Sequence, residues 1–139
     1  MHLSVTEKHL FGKEWMDAFK KIWNNQTNAS SQRTLAGTGA VSFAMILNEK
    51  VIRSTVVQWG KDGKIVYGSG DKVNSLTPAF TAPSGVWESV IYSYYTTIQA
   101  VVNKKMEFEG KIKFAITFSK KFPLIANVAI AVNQRFMHG

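Results

Sequence analysis

The stretch from Leu76 to Met106, LTPAFTAPSGVWESVIYSYYTTIQAVVNKKM, constrains the fold of this chain more than any other. It begins as an extended segment (Leu76 to Ala82), breaks at Pro83-Ser84-Gly85, and then changes period. Trp87, Val90, Ile91, Tyr94, Ile98, Val101 and Val102 recur at helical steps, which leaves Glu88, Gln99, Asn103 and Lys104 toward water. A strand followed at once by an apolar helical face implies a sheet with something lying across it. The spacing predicts one long helix that covers a curved sheet as a lid, with an apolar pocket between them.

The rest of the chain supplies the sheet. Met1 to Lys8 read as a loosely held terminus of a single domain spanning 1–139, and His9 to Asn24 as an amphipathic helix with Phe11, Trp15, Phe19, Ile22 and Trp23 on one face. Gly12 weakens its first turn and moves the expected start toward that residue. The polar run Asn24 to Gln32 favours loop, because its side chains compete for the backbone. Ala40 to Leu47 alternates at period two. A turn over Asn48-Glu49-Lys50 leads to a second strand, Val51 to Trp59. Asp62-Gly63 is a hairpin signal into the short strand Ile65 to Gly68; Gly68 to Asp71 turns again, and Val73 to Ala82 is a fourth extended piece. Beyond the lid, Ile112, Phe114, Ile116 and Phe118 alternate with Lys111, Lys113, Ala115 and Thr117, which predicts a fifth strand over Phe108 to Phe118. A final helix, Leu124 to about Gln134, follows with Pro123 in its first turn. The order gives an α+β domain: a five-stranded, mostly antiparallel sheet with helices covering one face.

The chemistry search is short. No cysteine is present, so disulfides, thiolate metal sites and cysteine nucleophiles are excluded. His2, His9 and His138 sit near the chain ends without ligand partners at metal spacing, so no metal and no cofactor are expected. No nucleophile elbow, Walker loop or dinucleotide fingerprint occurs, and the reading is not an enzyme. The first fifteen residues lack the apolar run of a signal peptide and no stretch reads as transmembrane, which leads to the expectation of a cytoplasmic protein. The formal charge of +8 attracts phosphates. No nucleic-acid recognition motif accompanies it. What remains is a surplus of apolar and aromatic side chains, with Tyr92, Tyr94 and Tyr95 pointing around the helix and each needing a polar partner when buried. Tyrosines around an apolar cavity suit a ligand with a hydrocarbon body and one polar end.

The order helix, meander, extended strand, Trp-containing helix, then Met106-x-x-x-Gly110-Lys111-Ile112-Lys113, resembles the sterol-carrier-protein-2 (SCP2-like) domain. Phe80-Thr81 with Trp87 downstream, and Trp59 to Gly68, carry the rest of the likeness, which covers about Trp15 to Val132. The resemblance implies a hydrophobic tunnel between sheet and helices, and the non-enzymatic binding or transport of a fatty acid, acyl chain or sterol-like lipid. It implies a lining from the lid (Trp87, Ile91, Tyr94, Ile98, Val102), the last strand (Phe114, Ile116) and the final helix (Phe122, Ile125, Ala129). Thr117 to Lys121 departs from the polar pair that the family commonly carries after its last strand, which leaves the final helix unplaced. Lys104, Lys105, Lys111, Lys113, Lys120 and Lys121 would dock the mouth transiently on an anionic membrane. The alternatives are a basic nucleic-acid-binding module with exposed stacking aromatics, and a structural or dimerising domain with a filled cavity. The oligomeric state is not legible.

Overall fold

The computed structural model describes residues 4–26, 30–69 and 77–137. The turn expected at Gly70-Asp71, the start of the fourth extended piece at 73–76, His2 and His138 lie outside them.

Three helices open the chain: α1 (Val5–His9), α2 (Lys13–Asn24) and α3 (Ser30–Leu35). The N-terminal segment expected to be loosely held is helical from Val5, because two groups cap its ends. Ser4 Oγ accepts from the Glu7 N–H at 3.0 Å. At the other end the Arg53 guanidinium reaches over from the sheet and donates to the carbonyls of Glu7 and Leu10. Burial pulls Arg53 below its ordinary pKa, with the Glu7 carboxylate pulling the other way. Gly12 is the N-cap of α2, as the sequence suggested, and Trp15, Met16, Phe19 and Trp23 form its buried face. The polar run expected as loop becomes helical at Ser30, where Gln32 turns inward and donates to the Trp23 carbonyl at 2.9 Å.

The sheet comprises β1 (Gly39–Leu47), β2 (Lys50–Trp59), β3 (Ile65–Ser69), β4 (Ala79–Pro83) and β5 (Glu107–Glu109), in the spatial order β3-β2-β1-β4-β5. β1 and β2 close on the two-residue turn Asn48-Glu49, both in the left-handed region (φ 52° and 68°) that a twisted hairpin requires. Gly63 (φ 81°) makes the β2–β3 turn, and a Cβ there would collide with the Gln32 carbonyl. The Trp23 indole N–H donates to the Gly63 carbonyl at 2.8 Å, so α2, α3 and this turn are locked together. Three of the four strand pairings are antiparallel; β4 runs parallel to β1, with Phe43 opposite Phe80.

Two expectations about the second half are corrected. The lid is two helices, α4 (Ser84–Ile91) and α5 (Thr97–Val102). Ser93 takes a left-handed conformation (φ 66°) between them, and Thr96 opens α5 with a capping box. Thr96 Oγ1 accepts from the Gln99 N–H at 3.2 Å while Gln99 Oε1 accepts from the Thr96 N–H at 2.8 Å. The fifth strand is only Glu107–Glu109, and Ile112–Met137 is one 26-residue helix, α6. Gly110 (φ 142°) ends the strand. Phe114, Phe118 and Phe122, four residues apart, then stack down a helix face, with centroids 5.5 Å and 6.4 Å apart. Pro123 therefore sits inside a helix and not at its start. By length and composition α6 could cross a bilayer, contrary to the sequence expectation, but half of its most apolar window is buried inside the domain.

The core lies between the sheet and these helices. Phe118 is its hub: its ring lies 5.4 Å from Phe80 and 6.1 Å from both Phe43 and Trp59. Burying such rings supplies the main stabilisation, about 25 cal/mol per Å² of apolar surface removed from water.

Candidate functional site

Three observations define the site, and the first is an apolar cavity in the centre of the domain. α2 contributes Trp15, Met16 and Phe19; the sheet contributes Phe43, Val57 and Trp59; α4 and α6 close it with Trp87, Ile91, Phe122, Ile125 and Ala129. Leu10 and Phe11 complete the lining, with Phe11 held at φ 66° so that its ring stands edge-on to Trp87 at 5.0 Å. The remaining space is about 30 Å³. Small-molecule pockets run about 300–1,000 Å³, so this cavity is nearly filled by its own rings. It is a residual void where a tunnel was expected.

Polar atoms around the cavity are almost all satisfied. The Trp87 indole N–H donates to the Ala44 carbonyl at 2.8 Å. The Trp15 indole N–H donates to Asn133 Oδ1 at 2.9 Å, and Asn133 Nδ2 donates to the Tyr92 hydroxyl at 3.3 Å. Asn133 is fully buried in α6 and so ties α2 to the end of α4. Trp59 is the exception: its indole N–H is buried without a hydrogen-bond partner among the described residues.

The second observation is a groove of about 290 Å³ at the α4–α5 break, lined by Ser93, Tyr94, Tyr95, Thr96, Thr97 and Gln99 on one side and Ser119, Phe122 and Pro123 of α6 on the other. Its described lining carries no charged side chain, although the Lys105 ammonium lies 4.9 Å from the centre of the Tyr95 ring.

Of the ten side chains expected to line a tunnel, Trp87, Ile91, Phe122, Ile125 and Ala129 surround the cavity. Tyr94 is 80% exposed and lies in the groove. Val102 (68% exposed), Ile112 (55%) and Ile116 (44%) face outward, so neither Val102 nor Ile116 lines the interior. Ile98 and Phe114 are partly buried against the core, away from the cavity. Phe114 and Ile116 were displaced by the change from strand to helix, in which residues two apart no longer share a face. Sequence reasoning missed the cavity residues from α2 and the sheet. Their signal was present as the Phe11-Trp15-Phe19 helical face, which gave burial but no hint of a void.

The third observation is charge. Lys104, Lys105, Lys111, Lys113 and Lys120 are exposed, and Lys121 is partly so. They cluster in sequence around the α5–β5–α6 connections with the outward Val102, Ile112 and Ile116, and with Glu107 and Glu109 as the opposing charges. Among the described residues no three His, Cys, Asp or Glu side chains converge as metal ligands would. Most aromatic rings lie inside the core, with Tyr92 and Tyr94 exposed at the α4–α5 break.

The comparisons rest on structure. A Thermus thermophilus protein, described as a candidate sterol carrier protein, superposes with a TM-score of 0.71 at 14% identity, covering 89% of this chain and 90% of that one. A crystal structure of sterol carrier protein 2 matches with a TM-score of 0.68 at 16% identity, covering 87% and 97%. The fold is that of sterol carrier protein 2. The Aedes aegypti sterol carrier protein-2 in complex with palmitate, a C16 fatty acid, shares this fold with a TM-score of 0.51 at 14% identity, covering 89% and 98%. No protein-family model matches the chain, and no curated protein sequence matches it. The sterol-carrier architecture is thus formed by a sequence only 14–16% identical to these structures.

Proposed function

We propose that this protein binds a lipid with a hydrocarbon body, a fatty acid, acyl chain or sterol, in the cytoplasm and without catalysing a reaction. The observation that carries the reading is the apolar cavity, which sits between sheet and helices of a sterol-carrier fold and has a lining without charged groups. The Aedes aegypti protein of the same fold holds palmitate. Transfer of hydrocarbon from water into such a lining would supply the affinity. Because only about 30 Å³ is free, binding requires the rings around the cavity to move apart. The exposed lysines, with Ile112 and Ile116 one turn apart on α6, would hold the protein on an anionic membrane while lipid passes, each cation contributing about 1 kcal/mol near the surface.

The small cavity also favours a second reading, a structural domain of the same fold that admits nothing. Native mass spectrometry of the purified protein, before and after incubation with palmitate, separates the two. A lipid adduct, or uptake of a fluorescent fatty acid with saturation at one site, supports the carrier. Absence of both leaves the filled domain.

A further inference from the structure

One side chain borders both spaces. Phe122 lines the central cavity and also the groove at the α4–α5 break. Its ring is buried and packs edge-on against Phe118 at 6.4 Å. The residue after Phe122 is Pro123, which has no N–H to donate to the Ser119 carbonyl one turn earlier, so α6 lacks one backbone hydrogen bond beside this ring. Across the groove the chain is already broken by Ser93 in its left-handed conformation. Both walls therefore have a backbone interruption at the same place.

One residue of the groove's lining also carries a buried polar group without a partner. Thr97 is 2% exposed, and its hydroxyl has no hydrogen-bond partner among the described residues. The neighbouring polar groups are occupied: Thr96 and Gln99 cap each other, and Ser119 Oγ accepts from the Ile98 N–H at 3.2 Å. A buried hydroxyl left unpaired destabilises the domain unless something arrives to pair with it.

We propose that the groove is the entrance to the lipid cavity, that Phe122 is its door, and that Thr97 pairs with an uncharged, hydroxyl-bearing head group. This rests on the lipid-binding reading above and specifies which group of the protein meets the ligand's polar end. An alcohol can donate to or accept from the Thr97 hydroxyl. An ionised carboxylate in the same place would be desolvated among uncharged side chains, which is costly. Tyr94 stands exposed at the rim of the groove.

The test compares hexadecan-1-ol with palmitate at pH 8, both delivered from phosphatidylcholine vesicles, with binding measured by displacement of a fluorescent fatty acid. The wild type is expected to bind the alcohol more tightly. Thr97→Val, nearly the same shape, should weaken the alcohol by about tenfold, the worth of one hydrogen bond, and leave palmitate unchanged. Phe122→Leu should speed uptake of both ligands severalfold. The Thr97 methyl NMR signal should shift on adding hexadecan-1-ol, a readout that does not depend on either variant folding. Tighter palmitate binding that Lys105→Gln abolishes would assign the head group to the rim cation and overturn the proposal. Normal lipid binding with a silent Thr97 signal, and unaltered kinetics in both variants, would overturn the entrance while leaving the carrier intact. If neither ligand binds the wild type, the carrier reading falls and the entrance with it.

Discussion

The cavity beneath Trp87 and the groove beside Tyr94 share a wall one ring thick, yet they are made on opposite terms. The cavity is lined by aromatic rings in mutual contact, and two of its three indole donors are paired to backbone or side-chain acceptors. The groove is nearly ten times larger and mixes hydroxyl and amide groups with apolar side chains, and it sits where two short helices meet at a broken turn. The first region is where the fold's stability is concentrated. Left-handed backbone occurs in both, at Phe11 in the cavity lining and at Ser93 in the groove. In a lipid carrier the two must cooperate, since a cavity that is stable only when full of its own side chains needs a neighbouring weak point to be opened.

Substitutions can test how sharp this division is. The largest effect should come from Phe118→Ala: the hub ring is lost against Phe43, Trp59 and Phe80, and the expected destabilisation is about 3–5 kcal/mol by denaturant unfolding. A much smaller value would mean that the cavity region collapses easily, and the contrast with the groove would fail. Asn133→Leu strands the buried Trp15 indole N–H and removes the link to the Tyr92 hydroxyl, costing about 2 kcal/mol. Hydrogen exchange should then quicken at the end of α4, on the groove side, because Asn133 connects the two regions. A finer probe is the difference between Trp87→Phe and Trp59→Phe. The first removes a donor that is paired to the Ala44 carbonyl, while the second removes a donor with no partner among the described residues, so Trp59→Phe should be milder by about 1 kcal/mol. Equal losses would show that the Trp59 N–H is satisfied in solution. Tyr94→Ala, at the exposed rim, should change stability by less than about 0.5 kcal/mol.

Much of the stable region was legible in the sequence, and the weak region was not, for identifiable reasons. β1, β2 and β3 announced themselves by period two and by the Asn48-Glu49 and Asp62-Gly63 turns, all local signals. The parallel docking of β4 beside β1 is not local, and no residue in β4 specifies it. The division of the lid was written as Thr96-x-x-Gln99, a capping box, but the apolar steps ran across it without interruption and outweighed it. At Ile112 to Phe118, two periods coexist. Alternation fits Ile112, Phe114, Ile116 and Phe118, while steps of four fit Phe114, Phe118 and Phe122. Only the second continues past Pro123 to Ala126, and continuity over many turns is what distinguishes a long helix from a strand of similar residues. The five cavity residues foreseen lie on α4 and the middle of α6; those misplaced followed from the two misread elements.

The position of α6 at the far end of the element order has a consequence during synthesis. Phe43, Trp59, Phe80 and Trp87 all leave the ribosome before the helix that carries Phe118, Phe122 and Ile125 against them. Until α6 emerges, the inner face of the sheet has only α2 and α4 to shield it, and the nascent chain presents a nearly continuous aromatic surface to its surroundings. Partly made chains of this kind are prone to associate with one another. Expression yield should therefore respond to the rate of translation through Ile112–Met137, and a chaperone that shields apolar surface would act in that interval.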